Sequence, residues 1–149
     1  MRSWLAKKII DRLFARLRAG DYRPLLRLYA RDVRFVFPGD NSWSGEFQGK
    51  EAVAQWLHRL TSVRLQNFAD EVIVGGPPWN MSIAMRGHDH VKAPDGRMVY
   101  QNRYVLWGRV AWGRIGEYEV YEDTGKVKAL DDYLADGGTA HRGAAQPAR

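Results

Sequence analysis

The sequence predicts an α+β fold in which a curved antiparallel sheet wraps around N-terminal helices. Three observations predict it. Helical spacing of apolar residues dominates the first sixty positions, period-two alternation dominates the stretch from residue 65 to 123, and turn residues fall between the alternating runs. Helices first and four consecutive strands later is an α+β pattern, not the βαβ order of a parallel sheet. A curved sheet laid on a helix hairpin leaves a cavity between its two layers, so an apolar pocket belongs to the expectation.

The elements follow in order. Leu5, Ile9, Ile10, Leu13, Phe14 and Leu17 form one stripe of a helix whose opposite face carries Lys7, Lys8, Arg12 and Arg16. Gly20 ends it, Asp21 stands at the cap of the next, and Pro24 sits in that helix's first turn, where a missing N–H costs nothing. Val33, Phe35 and Phe37 alternate as a strand, broken by Pro38-Gly39-Asp40-Asn41, and 42–47 reads as a second short strand. Val53, Trp56, Leu57 and Leu60 share one face of a third helix after Gly49. Strands are expected over 65–74, 79–91, 98–107 and 115–123, with turns at Gly75-Gly76-Pro77-Pro78, Pro94-Asp95-Gly96 and Trp112-Gly113. Thr124 is placed to cap a last helix that Gly137-Gly138 ends. These readings make one domain over residues 1–137 and a disordered tail over 138–149, where residues are small and polar.

Composition excludes several functions. The chain has no cysteine, which removes disulfides, thiol nucleophiles and cysteine-held zinc, and it suits a reducing, cytoplasmic setting. No apolar run is long enough to span a membrane, and no secretory signal pattern opens the chain. The net charge of +6 comes from scattered basic residues with no nucleic-acid motif, so no nucleic-acid partner is expected. No phosphate loop, dinucleotide fingerprint or nucleophile elbow occurs, and no cofactor is expected. His88 and His90 stand two apart on one strand, a metal-binding spacing, but the other histidines, His58 and His141, supply no third ligand, so no metal site is expected.

Several motifs carry a resemblance. Ala19-Gly20-Asp21, then Leu28-Tyr29-Ala30-Arg31-Asp32-Val33, then Gly45-x-Phe47-x-Gly49-Lys50-Glu51-Ala52-Val53 resemble the nuclear transport factor 2 superfamily. Within it they are similar to the SnoaL-like polyketide cyclase and ketosteroid isomerase branches, as are Trp112-Gly113-Arg114-Ile115 and the run from Tyr118 to Thr124. The likeness covers about residues 8 to 135. It implies a cone-shaped, cystatin-like α+β barrel around an apolar cavity, often a homodimer, and chemistry on small apolar or polycyclic molecules. The familiar acids are missing: Phe37 stands at the position of the isomerase's base, Leu13 at that of its oxyanion tyrosine, and Val120 where cyclases keep an aspartate. Asn102 matches the isomerase's second oxyanion acid. Asp89 is the counterpart of an aspartate in limonene epoxide hydrolases, with Gly87 in place of their arginine.

The candidates for proton transfer are therefore Asp89 and Glu122, with Asn102 and Tyr118 polarising a carbonyl or hydroxyl. Leu13, Phe35, Phe37, Trp56, Tyr104 and Val120 are the expected substrate-binding wall. Each polar candidate has a plainer reading as well: Asp89 paired with Arg86 or Arg103 in solvent, Glu122 at the surface, Asn102 in a structural hydrogen bond. A small apolar ligand thus fits two functions. One is a cofactor-independent acid–base isomerase, cyclase or hydrolase, and the other is a non-catalytic ligand-binding or protein-interaction module.

Overall fold

The computed structural model describes residues 2–138. The chain runs α1 (Arg2–Arg18), α2 (Arg23–Leu26), β1 (Tyr29–Phe37), β2 (Gly45–Gln48), α3 (Lys50–Ser62), β3 (Gln66–Gly75), β4 (Met81–Lys92), β5 (Met98–Ala111), β6 (Arg114–Glu122) and α4 (Thr124–Ala135). Six strands form one sheet in the order β2-β1-β6-β5-β4-β3. All neighbours are antiparallel except β1 and β6, which run parallel, because the chain leaves β1 at one end and re-enters beside it only after the whole β3–β5 meander. Register shifts interrupt β3–β4 at Ala69/Glu71, β4–β5 at Val91/Lys92 and β5–β6 at Arg109/Val110. Irregularities of this kind bend strands and raise their twist, which curves the sheet around the helices.

Some boundaries depart from the sequence expectation for local reasons. The second helix is a single turn, because β1 recruits Tyr29 to Asp32 into the ladder instead of starting at Val33. The short β2 begins at Gly45, since 42–44 are held in a turn by Ser44 N–H donating to Asn41 O. Trp79 stays in the β3–β4 turn, and β4 starts at Met81. The last helix is capped by Asp123, not Thr124: its carboxylate accepts from the N–H groups of Gly125 and Lys126. The β5–β6 turn is the two residues Trp112 and Gly113, both with positive φ, the conformation whose twist matches a two-residue hairpin. The expected tail, beyond Gly138, lies outside the described residues. Among the described residues no helix is long and apolar enough to cross a membrane.

The inner face is filled unevenly. At one side an aromatic column forms: Tyr118 stacks on Phe35 with centroids 4.3 Å apart, Phe35 meets the edge of Trp56 at 4.7 Å, and Trp56 meets Trp43 at 5.8 Å. At the other side α1 lies along edge strand β3. Arg18 Nη1 donates to Asn67 O at 2.7 Å near one end, and Val74 N donates to Ser3 Oγ at 3.1 Å near the other. These side-chain bonds satisfy backbone groups that an edge strand would otherwise leave open.

Gly87 is a position where the inner face tolerates no side chain. The Tyr104 ring crosses β4 over it so that the hydroxyl donates to Phe68 O at 2.9 Å on β3, and a Cβ at 87 would collide with both groups. Gly87→Ala must push Tyr104 off that bond or spread β3 from β4. It should lower unfolding stability by about 2 kcal/mol or more in urea titration, whereas Gly75→Ala, with open space around it, should cost less than half as much. Equal effects at the two positions would contradict this account.

Candidate functional site

Between sheet and helices lies a cavity of about 280 Å³, at the small end of the range for small-molecule sites. Leu13 from α1, Phe35 and Phe37 from β1, Trp56 from α3, Tyr104 and Leu106 from β5, and Tyr118 and Val120 from β6 all line it. Alternation explains why: on each strand the lining residues are two apart and share the inner face. The lining residues that stay exposed are Ile9, in the first half of α1, and Gly113, in the β5–β6 turn. Trp43, Val127 and Leu130 close the other end and are fully buried. The hollow therefore opens beside α1 and ends blind beneath α4.

The polar groups gather in the blind half. Asp89 on β4 and Glu122 on β6 both line the cavity, flanking β5, whose Tyr100 links to Glu122. The Tyr100 hydroxyl donates to Glu122 Oε2 at 3.1 Å and accepts from Asn102 Nδ2 at 3.2 Å. Asn102 itself is not part of the lining. Its amide also donates to Asp123 O at 3.0 Å, and its Oδ1 accepts from Arg103 N at 2.9 Å. The expectation that Asn102 polarises a ligand therefore needs correcting: α4 covers it, its hydrogen bonds are spent, and it holds Tyr100 in place. Tyr118 does line the cavity, but its hydroxyl is hydrogen-bonded to that of Tyr29 at 3.1 Å.

Desolvation dominates the electrostatics. Burial against hydrocarbon raises the Asp89 carboxyl to about 8, helped by the neighbouring Glu122 charge and opposed by the Tyr100 hydroxyl. Burial likewise raises Glu122 to about 7, with the Tyr100 hydrogen bond opposing and the Asp123 charge adding. Tyr29, Tyr100, Tyr104 and Tyr118 are all pushed up, chiefly by burial, and remain neutral donors at any physiological pH. Neither carboxylate makes an ion pair among the described residues. Arg86 turns outward to Glu71, so the solvent-facing alternative for Asp89 is not the observed placement.

His88 and His90 are on the outer face of β4, stacked near Phe68, with His88 Nδ1 2.8 Å from Asp70. They face away from the cavity, and no group of three metal-ligating residues occurs among the described residues. Two cavity residues escaped the sequence reading. Tyr100 was visible only as one of several inward aromatics on β5. Asn67, at the start of β3, is isolated in sequence from any motif, and only its register opposite Asp89 marks it.

Residues 10–118 match the family model described as the SnoaL-like domain. None of the curated proteins matches the chain. Among solved structures, an NTF2-like protein of unknown function from Burkholderia pseudomallei is 22% identical, with a TM-score of 0.69 over 83% of this chain and 95% of that one. TerC, co-crystallised with polyporic acid, is 21% identical, with a TM-score of 0.68 over 84% of this chain and 96% of its own. A protein described as a SnoaL-like polyketide cyclase from Jannaschia is 21% identical, with a TM-score of 0.59 over 83% and 89% of the two chains. At these identities the structures share the fold.

Raised carboxyls have a consequence for stability. Both bind their protons more tightly folded than unfolded, where they titrate near 3.8 and 4.5. Their contribution is therefore fully present below about pH 4 and is lost as the pH rises through 7 to 8. Asp89→Asn removes one of the two titrations. Its melting temperature should exceed that of the wild type by several degrees at pH 9 and match it near pH 4, by thermal denaturation followed by circular dichroism. Parallel pH profiles for the two proteins would show that Asp89 is not the group responsible.

Proposed function

The chain belongs to the SnoaL-like domain family, and from that premise we propose that it is an acid–base enzyme acting on a small apolar molecule as an isomerase, cyclase or hydrolase. The observation that carries this reading is the pair Asp89, buried, and Glu122, half-buried, two carboxyls that line one cavity on either side of β5, with Tyr100 donating to Glu122. Such groups titrate near neutrality, where a catalytic acid and base are most effective. The two separate by role. Glu122 accepts the Tyr100 hydrogen bond, which favours its charged form and makes it the base; Asp89, without that bond, holds the shared proton and is the acid. Glu122 takes a proton from the ligand as Asp89 delivers one to the oxygen on which charge develops, and the neutral Tyr100 hydroxyl steadies the carboxylate between turnovers. Aromatic walls exclude water and strengthen each of these interactions. Asn102 serves as a positioning residue for Tyr100.

One observation favours a second reading, a binding module without catalysis. Leu13, Phe37 and Val120 all line the cavity, and these are the positions at which the resembling enzymes keep their acids. Proton exchange separates the two without knowledge of the natural substrate. The enzyme should accelerate deuterium exchange at the acidic C–H positions of 2-tetralone in D2O, followed by NMR, and Glu122→Gln and Asp89→Asn should each reduce the acceleration by about 10² to 10⁴. Exchange no faster than buffer, or unchanged in both variants, would leave the binding module as the reading.

Assembly as a homodimer belongs to the same proposal. On the outer face of the sheet Val105 and Tyr121 are cross-strand partners and are 51% and 50% exposed, with half-buried Trp107 beside them and Val99 further along the same strand. A second copy packed isologously would remove these groups from water. Sedimentation at micromolar concentration should show a species of twice 17.1 kDa, and Val105→Glu should shift it to the monomer. A monomer at high wild-type concentration would overturn the assignment.

A further inference from the structure

Two buried side-chain oxygens that line the cavity have no partner among the described residues. They are Asn67 Oδ1 and Asp89 Oδ1, on side chains whose residues are 8% and 6% exposed. The two residues are direct register partners across β3 and β4, and both line the cavity. An unpaired buried oxygen costs on the order of 1–3 kcal/mol, so two side by side in a hydrocarbon-lined hollow are an expensive arrangement unless something meets them. Nothing in the core requires Asn67: the Asn67 bond that Arg18 makes goes to its backbone oxygen, not to its amide.

We propose that Asn67 and Asp89 form a hydroxyl-recognition subsite, so that the ligand is a small alcohol or phenol whose hydroxyl leads into the blind end while its apolar body lies against Phe35, Trp56 and Tyr118. The hydroxyl is the group that fits. It donates to the Asn67 carbonyl oxygen and accepts from the protonated Asp89 carboxyl, using one donor and one acceptor at once. A wholly apolar ligand leaves both oxygens unmet. A carboxylate would bring a second negative charge beside Glu122, with no cation of the lining to offset it. The cavity opens beside α1 and is blind at the other end, so a ligand with a single polar end and an apolar tail also matches its shape. This rests on the cavity being the ligand site proposed above, and it assigns Asn67 a contact with the ligand that the acid–base reading does not need.

Matched probes test it through binding, apart from catalysis. Calorimetric titration at pH 6.5 compares 2-naphthol with naphthalene on the full chain. The wild type should prefer the naphthol by tenfold or more. Asn67→Leu should bring the ratio close to one while naphthalene binds as well as or better than before, and its melting temperature should not fall, because no internal hydrogen bond is lost. Asn67→Ala repeats the comparison if the leucine proves too large for the fold. Equal affinity of the two probes for the wild type, or a preference that survives both substitutions, would overturn the subsite while leaving the cavity as a binding site. Binding of neither probe would overturn the cavity reading and this inference with it.

Discussion

The parallel pairing of β1 with β6 is the constraint on which the rest of the molecule depends. It sets Phe35 opposite Tyr118, and their rings stack at 4.3 Å in the middle of the sheet. A stacked pair of this kind contributes about 0.5–1.5 kcal/mol beyond the burial of its area. More important is what it fixes in space. Trp56 packs against Phe35 from α3, Trp43 against Trp56, and so the helix layer over β1 is held at a ring's thickness from the sheet. The bulged strands β3 to β5 curve away from that point and meet α1 along the far edge. The gap between a fixed aromatic wall and a curving sheet is the cavity.

The same registers decide which polar groups are buried together. Leu106 opposite Val120 and Tyr104 opposite Glu122 put the β6 carboxylate on the inner face, and Asn102 opposite Asp89 does the same for β4. Gly87 then lets Tyr104 lie flat across β4 and reach Phe68 O, so that its hydroxyl is satisfied within the wall. Asn102 is tied to Asp123 O at the start of α4, which couples the helix that closes the cavity to the tyrosine that contacts Glu122. A fold that places two carboxyls against hydrocarbon with a single hydroxyl donor, Tyr100 to Glu122, between them and water raises both toward neutral pKa. Stability is reduced at high pH by that arrangement, because ionising the carboxyls costs more in the folded chain than in the unfolded one.

The outer surface obeys different rules. Arg34 is held between Glu46, Glu117 and Glu119, Arg86 pairs with Glu71, and Arg109 with Glu117. Pairs this exposed contribute little individually. Their effect is to keep the basic excess spread over the molecule and away from the cavity, where the ionisable lining groups are the two carboxyls and the buried tyrosines.

Periodicity alone determined much of this protein. The stripe Leu13, Phe14, Leu17 and the alternation of Phe35 with Phe37, or of Tyr118 with Val120 and Glu122, are properties of a chain with 3.6- and 2-residue repeats, so the inward faces and the residues of the apolar wall were legible before any folding. Turn chemistry was equally local: Trp112-Gly113 supplies the positive φ angles a two-residue hairpin requires. Tertiary structure decided whatever depends on registers between strands far apart in sequence. That β1 lies beside β6, that Asn67 faces Asp89, and that α4 covers Asn102 while leaving Tyr100 on the cavity all follow from pairings 21 to 86 residues apart, which no local pattern encodes. The start of the last helix moved by one residue for a local reason instead, since the Asp123 carboxylate accepts from the N–H groups of Gly125 and Lys126. The ionisation of Asp89 is the furthest from the sequence: a carboxyl's pKa is set by the dielectric around it, and that exists only once the cavity has closed.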